Sequence, residues 1–502
     1  MHTMISRRFF IGGAFGFAAL GPRLAFAAKP GAFADGKPAL TFGVLSDVHI
    51  GLAPGGRKLL PSYDTRYLEK AFGYFRDQGA DAVVIAGDMA HHGCAGELKA
   101  VADAWFKVFP NDRAPDGRHV ERLFVFGNHD NGTKRAAAVF RDDQDAIKAN
   151  LLTLDPKRHW DDAFHDEWTP FFRRNVKGYD FVGVHWTVGD CRGKNERFAK
   201  GLVDYYDSIR SALDPHLPFF HIQHPHPRET VHGAVWGQDD GESVKALSRH
   251  PNAVSFSGHS HTTLVDDRSI WQGAFTALGT ATLRDVGANG LTSGPMGFEN
   301  YRTPPGPDCA KRNTLKVMPV IDRYAGKQGQ LVRVYSDRIV FARRDFITDL
   351  PLTDDLVMPL PAAESKPFAF ATRQAAAKAP RFASDAKLAI RACEAKPRGG
   401  KAAKPKPCVE IVIPPAMAER SALGIVCEVS APGADGDELS VRVLTPAFRY
   451  APTAKRVHRP TVCRISLDRL APGDLEFKVR AVSAWGRTSD PLVGTFRRPP
   501  AA

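Results

Sequence analysis

The sequence predicts an α/β domain followed by an all-β sandwich domain. Three observations carry this. Between Leu40 and Ser257, short apolar runs end abruptly in polar, metal-capable residues, with helical patterns between several of them. Residues 351–380 are rich in Pro and Ala. Beyond them the only patterns are short strands separated by turn residues, at sandwich spacing. Strands alternating with helices build a sheet with many parallel neighbours, whose C-terminal strand ends gather at one edge where ligands bind. A chain of 502 residues has room for about two or three such domains.

In chain order, the first segment reads MISRRFFIGGAFGFAALGPRLAFAAKP. A short, glycine-rich apolar stretch follows Ser6-Arg7-Arg8-Phe9-Phe10, and Ala25-Phe26-Ala27 supplies small residues around a cleavage point. The stretch is too short to span a bilayer, so residues 1–28 are expected to be a removable export signal. The paired arginines resemble the twin-arginine type, whose pathway carries folded proteins. The expected location is periplasmic or secreted, with the twin-arginine export machinery as a partner. No later apolar run is long enough for a membrane span.

The α/β domain is expected over 38–350. Its strand-like runs are LTFGVLSDVH, DAVVIAGDMAHHG, RLFVFGNHD, PFFHIQHPHP and AVSFSGHSH. Tyr67, Leu68, Ala71, Phe72 and Phe75 space as one helix face, as do Leu98, Val101, Ala102, Trp105 and Phe106. Trp160, Phe164, Trp168, Phe171 and Phe172 form an aromatic cluster expected to serve packing, and His185 ends a further strand, GYDFVGVHW. A β-hairpin over Gln330–Phe346 closes the domain. Residues 351–380 then read as a linker, and 381–498 as the sandwich.

Seven cysteines are scattered without a C-x-x-C pair, which argues against a cysteine zinc site. KLAIRAC and CVEIVI look like two hairpin arms that would set Cys393 opposite Cys408. Cys427 and Cys463 are expected on neighbouring strands of one sheet, and both pairs are expected to form disulfides. Net charge is +13, part of it concentrated between Lys387 and Lys406. Such a run is ordinarily a solvated loop. The basic balance favours anionic partners in general and does not exclude nucleic acid.

What singles out the five runs is their joint pattern. Each apolar run delivers polar groups in a fixed order: Asp47-Val48-His49, Gly87-Asp88, Gly127-Asn128-His129-Asp130, Gln223-His224-Pro225-His226 and Gly258-His259-Ser260-His261. In this the chain resembles the calcineurin-like metallophosphoesterases, a family that includes purple acid phosphatases and metal-dependent phosphodiesterases. The resemblance spans roughly Leu40 to Phe346. It implies a four-layer αββα sandwich fold and a phosphoric ester hydrolase acting on mono- or diesters, by direct attack of a metal-bridging hydroxide. The C-terminal GDLEFKVRAVSAWGRTSDPL resembles the closing strands of a fibronectin type III domain.

The residue types suit the chemistry. A phosphate ester repels nucleophiles, and two cations neutralise that charge and acidify a shared water. By the resemblance, Asp47, His49 and His261 hold one metal, Asn128, His224 and His259 hold the other, and Asp88 bridges them. Imidazoles with carboxylate and amide oxygens suit zinc, iron or manganese better than calcium or magnesium. His129 is implied as the group that protonates the leaving oxygen or stabilises its charge. Asp130 is implied to accept from its other ring nitrogen and fix the tautomer. Purple acid phosphatases carry a tyrosine where this chain has His91. QHPHP offers either His224 or His226 as the ligand, and His224 is chosen because it follows the strand directly. The expected substrate is a phosphate-ester small molecule or a phospholipid-type ester. The rival reading is a non-catalytic, metal-containing protein whose sandwich domain holds a polymer or surface.

Overall fold

The computed structural model describes residues 36–187, 198–231, 239, 241–284, 286, 314–316, 326–395, 405–417, 426–445, 459–483, 485 and 487–498. The expected export signal, Cys191 and Cys309 lie outside the described residues.

Strands β1 (Leu40–Leu45), β2 (Ala82–Ala86) and β3 (Glu121–Val125) are the first three apolar runs of the sequence. They are followed by β4 (Phe171–Val176), β5 (Tyr179–Val184), β6 (Phe219–Ile222), β7 (Ala253–Ser257), β8 (Ile270–Gln272) and β9 (Thr276–Gly279). A short β10 (Thr314–Lys316) precedes β11 (Gln328–Val334), β12 (Arg338–Asp345), β13 (Leu350–Pro351) and β14 (Leu356–Pro359). One sheet runs β13-β12-β11-β1-β2-β3, with β14 also on β12; the other runs β4-β5-β6-β7-β9-β8. The neighbours β1-β2-β3 and β5-β6-β7-β9 are parallel.

The two sheets pack face to face. Phe42 of β1 meets Phe181, Phe220 and Phe256 of the opposing strands at ring-centroid distances of 5.1, 4.8 and 5.7 Å. Edge-to-face contacts of this kind add to the area they bury. Because side chains alternate along a strand, Val83, Ile85 and Phe124 face the other way. There they meet α1 (Arg66–Asp77) and α2 (Ala95–Val108). The α1 stripe Leu68, Ala71, Phe72 and Phe75 is buried, as its spacing predicts. On the outer face of the second sheet, Phe219 and Ala253 share a core with Leu202, Val203, Ala246 and Leu247 of the later helices. The order is therefore helices, sheet, sheet, helices.

Residues 351–380 are not a bare linker. β13 and β14 extend the first sheet through β12, and Met358 is fully buried between the sheets. A helix over Phe370–Ala376 then presents Arg373, which pairs with Asp267 at 3.2 Å and stacks over Trp485 at 4.7 Å. The hydrophobic signal was diluted by prolines, which edge strands tolerate.

Past this junction two sheets again face each other. One joins the strands Ala389–Ala395, Lys406–Ile413 and Thr461–Ser466. The other includes Val426–Pro432, Glu438–Leu444, Leu475–Val482 and Leu492–Phe496, together with β10. Val409, Ile411, Val429, Val441, Phe477 and Val479 fill the space between them. Cys393 does stand opposite Cys408 in antiparallel register, yet both are free thiols. Cys427 and Cys463 are also free, and they lie on different sheets rather than on neighbouring strands of one. Alternating patterns give each strand's buried face but not its partner.

Candidate metal centre

Five strand ends converge at the edge where the two sheets meet. From the first sheet, β1 delivers Asp47 and His49, β2 delivers Asp88, and β3 delivers Asn128 and His129. From the second, β6 delivers His224, and β7 delivers His259 and His261. Their donor atoms fall into two groups, Asp47 with His49 and His261, and Asp88 with His224 and His259. Within the first, His261 Nε2 lies 3.0 Å from both Asp47 Oδ1 and His49 Nε2. Within the second, His224 Nε2 lies 3.2 Å from Asp88 Oδ2 and 3.1 Å from Asn128 Oδ1. Asp88 Oδ2 is also 3.6 Å from His49 Nε2, which places that oxygen between the groups.

Asp47, Asp88 and His224 are each tied down through their other polar atom. Ser46 Oγ and the His259 amide donate to Asp47 Oδ2, at 2.5 and 2.9 Å. The buried Oδ1 faces two imidazoles instead, His261 Nε2 at 3.0 Å and His49 Nε2 at 3.8 Å. The His129 amide donates to Asp88 Oδ1 at 2.7 Å, leaving Oδ2 to the imidazoles. His224 Nδ1 donates to the Ala86 carbonyl at 2.8 Å, which turns Nε2 toward Asp88 and Asn128. His226 is different: its ring nitrogens meet Ser257 Oγ and Ser260 Oγ at 2.7 and 2.8 Å. It braces the loop after β7, and His224 is the one of the two that reaches the centre.

The backbone is bent to allow this. Asp47, His49, Asp88, His259 and His261 all have positive φ, between 51° and 71°. Residues with a side chain adopt that region reluctantly, and such outliers gather at functional sites. The motif glycines are needed for close approach. A Cβ at Gly127 would overlap the Asp88 carboxylate, and one at Gly258 would overlap the Ser46 hydroxyl.

The electrostatics follow from burial and proximity. Burial alone would raise the Asp47 and Asp88 carboxyls, but His261 beside the first, and His224 and His129 beside the second, hold both well below the usual carboxylate range. Burial opposes charge on His224, yet Asp88 outweighs it and pushes the imidazole up to about 9. Burial takes His259 down to about 3. Carboxylate oxygens of Asp47 and Asp88 gathered against imidazole nitrogens are a donor set that fits transition-metal cations.

Asp130 departs from its expected role. It does not reach the His129 ring, whose Nδ1 donates instead to the His91 carbonyl at 3.0 Å. The Asp130 carboxylate accepts from the amides of Gly127 (2.7 Å), Ala90 (2.7 Å) and Met89 (3.3 Å), pinning the loop after β3 to the loop after β2. Successive side chains point to different sides, so neighbours in sequence need not touch. Burial, reinforced by Asp88, raises this carboxyl to about 8. Asp130→Ala should orphan three buried amides and destabilise the fold by about 3 kcal/mol or more. Thermal or urea denaturation measures this. Unchanged stability with a selective loss of rate would return Asp130 to a role in orienting His129.

Other residues at the centre carry no motif. His91 joins His49 and His129 in a third group of ring nitrogens, and its ring stacks on His129 at 5.2 Å. Trp186 walls the second group, 6.1 Å from both His224 and His259. His185 is core: its Nδ1 accepts from the Phe126 amide (3.1 Å) and from Trp168 Nε1 (3.2 Å).

Residues 40–263 match the model of the calcineurin-like phosphoesterase family. Three solved structures illustrate the likeness at low identity. A dimetal phosphatase from Danio rerio is 14% identical with a TM-score of 0.36, the alignment covering 64% of this chain and 99% of that one. A purple acid phosphatase from yellow lupin (Lupinus luteus) seeds is 10% identical at 0.37, covering 65% and 56%. The NAD nucleotidase of Haemophilus influenzae is 12% identical at 0.27, covering 48% and 45%. No curated protein matches the chain.

Proposed function

We propose that this chain is an exported phosphoesterase with two metal ions, hydrolysing phosphate mono- or diesters without a covalent intermediate. The observation that carries the reading is the placement of Asp88 Oδ2 between two donor groups, 3.2 Å from His224 and 3.6 Å from His49. The match of residues 40–263 to a phosphoesterase family supports the same class of reaction.

Asp47, His49 and His261 would hold one cation, Asn128, His224 and His259 the other, with Asp88 shared. When bound, two such cations neutralise the ester's charge, orient it, and lower the pKa of a water they share. The chain's own part is to fix the donors before substrate arrives, through the bonds on Asp47 Oδ2, Asp88 Oδ1 and His224 Nδ1. His129, anchored through Nδ1, would offer Nε2 to the leaving oxygen. Burial lowers its proton affinity to about 4, Asp88 partly offsetting this, and the negative charge of a bound ester raises it again. Iron, zinc or manganese suits the donor set.

Export is proposed from Ser6-Arg7-Arg8-Phe9-Phe10 and the short apolar stretch after it. A periplasmic or secreted location follows, with the twin-arginine machinery as the export partner.

The direct test is turnover of a generic aryl phosphate and a matched diester by purified protein, before and after chelation. Activity should vanish on demetallation and return with manganese, zinc or iron. A demetallated sample that hydrolyses either ester at its original rate would refute the metal-dependent reading.

A further inference from the structure

Beside the candidate centre lies a pocket of about 270 Å³ whose walls are cationic and phenolic. It shares a wall with the centre, because Val48, between Asp47 and His49, lines it. Tyr63, Tyr67, Arg284 and Lys327 line it as well. Arg66 and Asp64 complete the outer side and pair with each other at 2.7 Å. Arg284 and Lys327 bring guanidinium and ammonium donors to the rest of the wall.

Arg284 is built into the loop that carries Asp47. The Leu283 amide donates to the Ser46 carbonyl at 3.0 Å, and Thr282 Oγ1 donates to the Asp47 carbonyl at 3.0 Å. Thr282 Oγ1 in turn accepts from the Arg284 amide at 2.9 Å. The guanidinium lies over the Tyr63 ring at 4.0 Å and donates to the Tyr63 hydroxyl. A second nitrogen donates to His91 Nδ1 at 3.2 Å. Lys327 donates to the Arg284 carbonyl and lies 5.2 Å over the Tyr67 ring. The His91 ring contacts both regions: Arg284 donates to it, and the His129 and His49 rings lie 5.2 and 5.6 Å from it. A group held by Arg284 and Lys327 is thus one imidazole away from the reacting centre.

We propose that this pocket recognises a second anionic group, a phosphate or carboxylate, on the part of the substrate that does not react. Guanidinium and ammonium donors bind such groups through short charge-assisted hydrogen bonds. The proposal rests on the phosphoesterase reading, and it narrows the substrate class to esters carrying another negative charge near the scissile one.

The test uses the full metal-loaded chain and phosphonates, which are not hydrolysed. Methylphosphonate carries one anionic group, 3-phosphonopropionate adds a carboxylate, and propane-1,3-bisphosphonate adds a second phosphonate. In calorimetric titrations the two doubly anionic ligands should bind roughly 10- to 100-fold more tightly than methylphosphonate. Arg284→Met and Lys327→Met should each remove much of that advantage. Lys327→Met guards against a collapse around His91 that the arginine change alone could cause. An advantage confined to the bisphosphonate identifies a phosphate as the second group, and one shared by both ligands identifies any anion. Equal binding of all three ligands, or an advantage that survives in both variants, overturns the inference. Because the titration needs no turnover, a protein inert toward aryl phosphates would overturn the phosphoesterase reading separately.

Discussion

Asp88→Asn lowers phosphoester turnover by roughly 10³-fold or more while the chain stays folded. The size follows from what the substitution removes. Asp88 Oδ2 lies 3.2 Å from His224 Nε2 and 3.6 Å from His49 Nε2, within reach of a nitrogen of each donor group, and in the proposed reading it is the shared ligand. An amide is neutral and a weaker ligand. Losing a shared anionic donor sacrifices several kcal/mol of stabilisation at the reacting phosphorus, at tenfold per roughly 1.4 kcal/mol. Folding should survive, because an asparagine oxygen can still accept from the His129 amide that bonds Oδ1 at 2.7 Å. The measurement is paired: metal content by elemental analysis and rate on one ester, with circular dichroism as the control. A variant that keeps its full metal content and rate would remove Asp88 from the bridging position.

For His129→Ala the expected loss depends on the leaving group. An alkoxide departs badly unless it is protonated or its charge is met, and a positioned acid typically contributes about 10²–10⁴-fold there. Nitrophenolate is already a stable anion and needs little help. The variant should lose most of that factor on an alkyl phosphoester and far less on a nitrophenyl one. His129 lies against His49, with rings 4.4 Å apart, and its amide holds Asp88, so the comparison requires equal metal content. Equal losses on both esters at full occupancy would assign His129 to binding phosphate in the ground state.

Much of the centre was legible because each donor follows an apolar strand. The strands β1, β2, β3, β6 and β7 are buried almost throughout, as their unbroken apolar runs foretell, and parallel strands bring their C-terminal ends together by topology alone. Less could be read where chemistry depends on side-chain direction. Asp130 adjoins His129 in sequence but turns away to hold three amides. Arg284 and Tyr63 carry no motif, since what matters is a cation–ring contact across 221 residues of chain. Trp186 follows a strand as the histidines do, but an indole gives no chemical signal in a sequence. The strands over 350–359 were hidden by prolines. The two cysteines set on one sheet fell on two, because strand order is decided by packing and not by spacing.

The candidate donors follow strands of both sheets, so a metal held between them would act as a clasp. Asp47, Asp88 and Asn128 belong to one sheet, and His224, His259 and His261 to the other. Both donor groups therefore form only once segments more than a hundred residues apart in the chain have docked. A ligand that binds only the folded state stabilises it by about 4 kcal/mol when present at roughly a thousand times its dissociation constant. If the centre holds metal as proposed, conformational stability would be tied to the supply of free metal, and scarcity would weaken the joint between the two sheets.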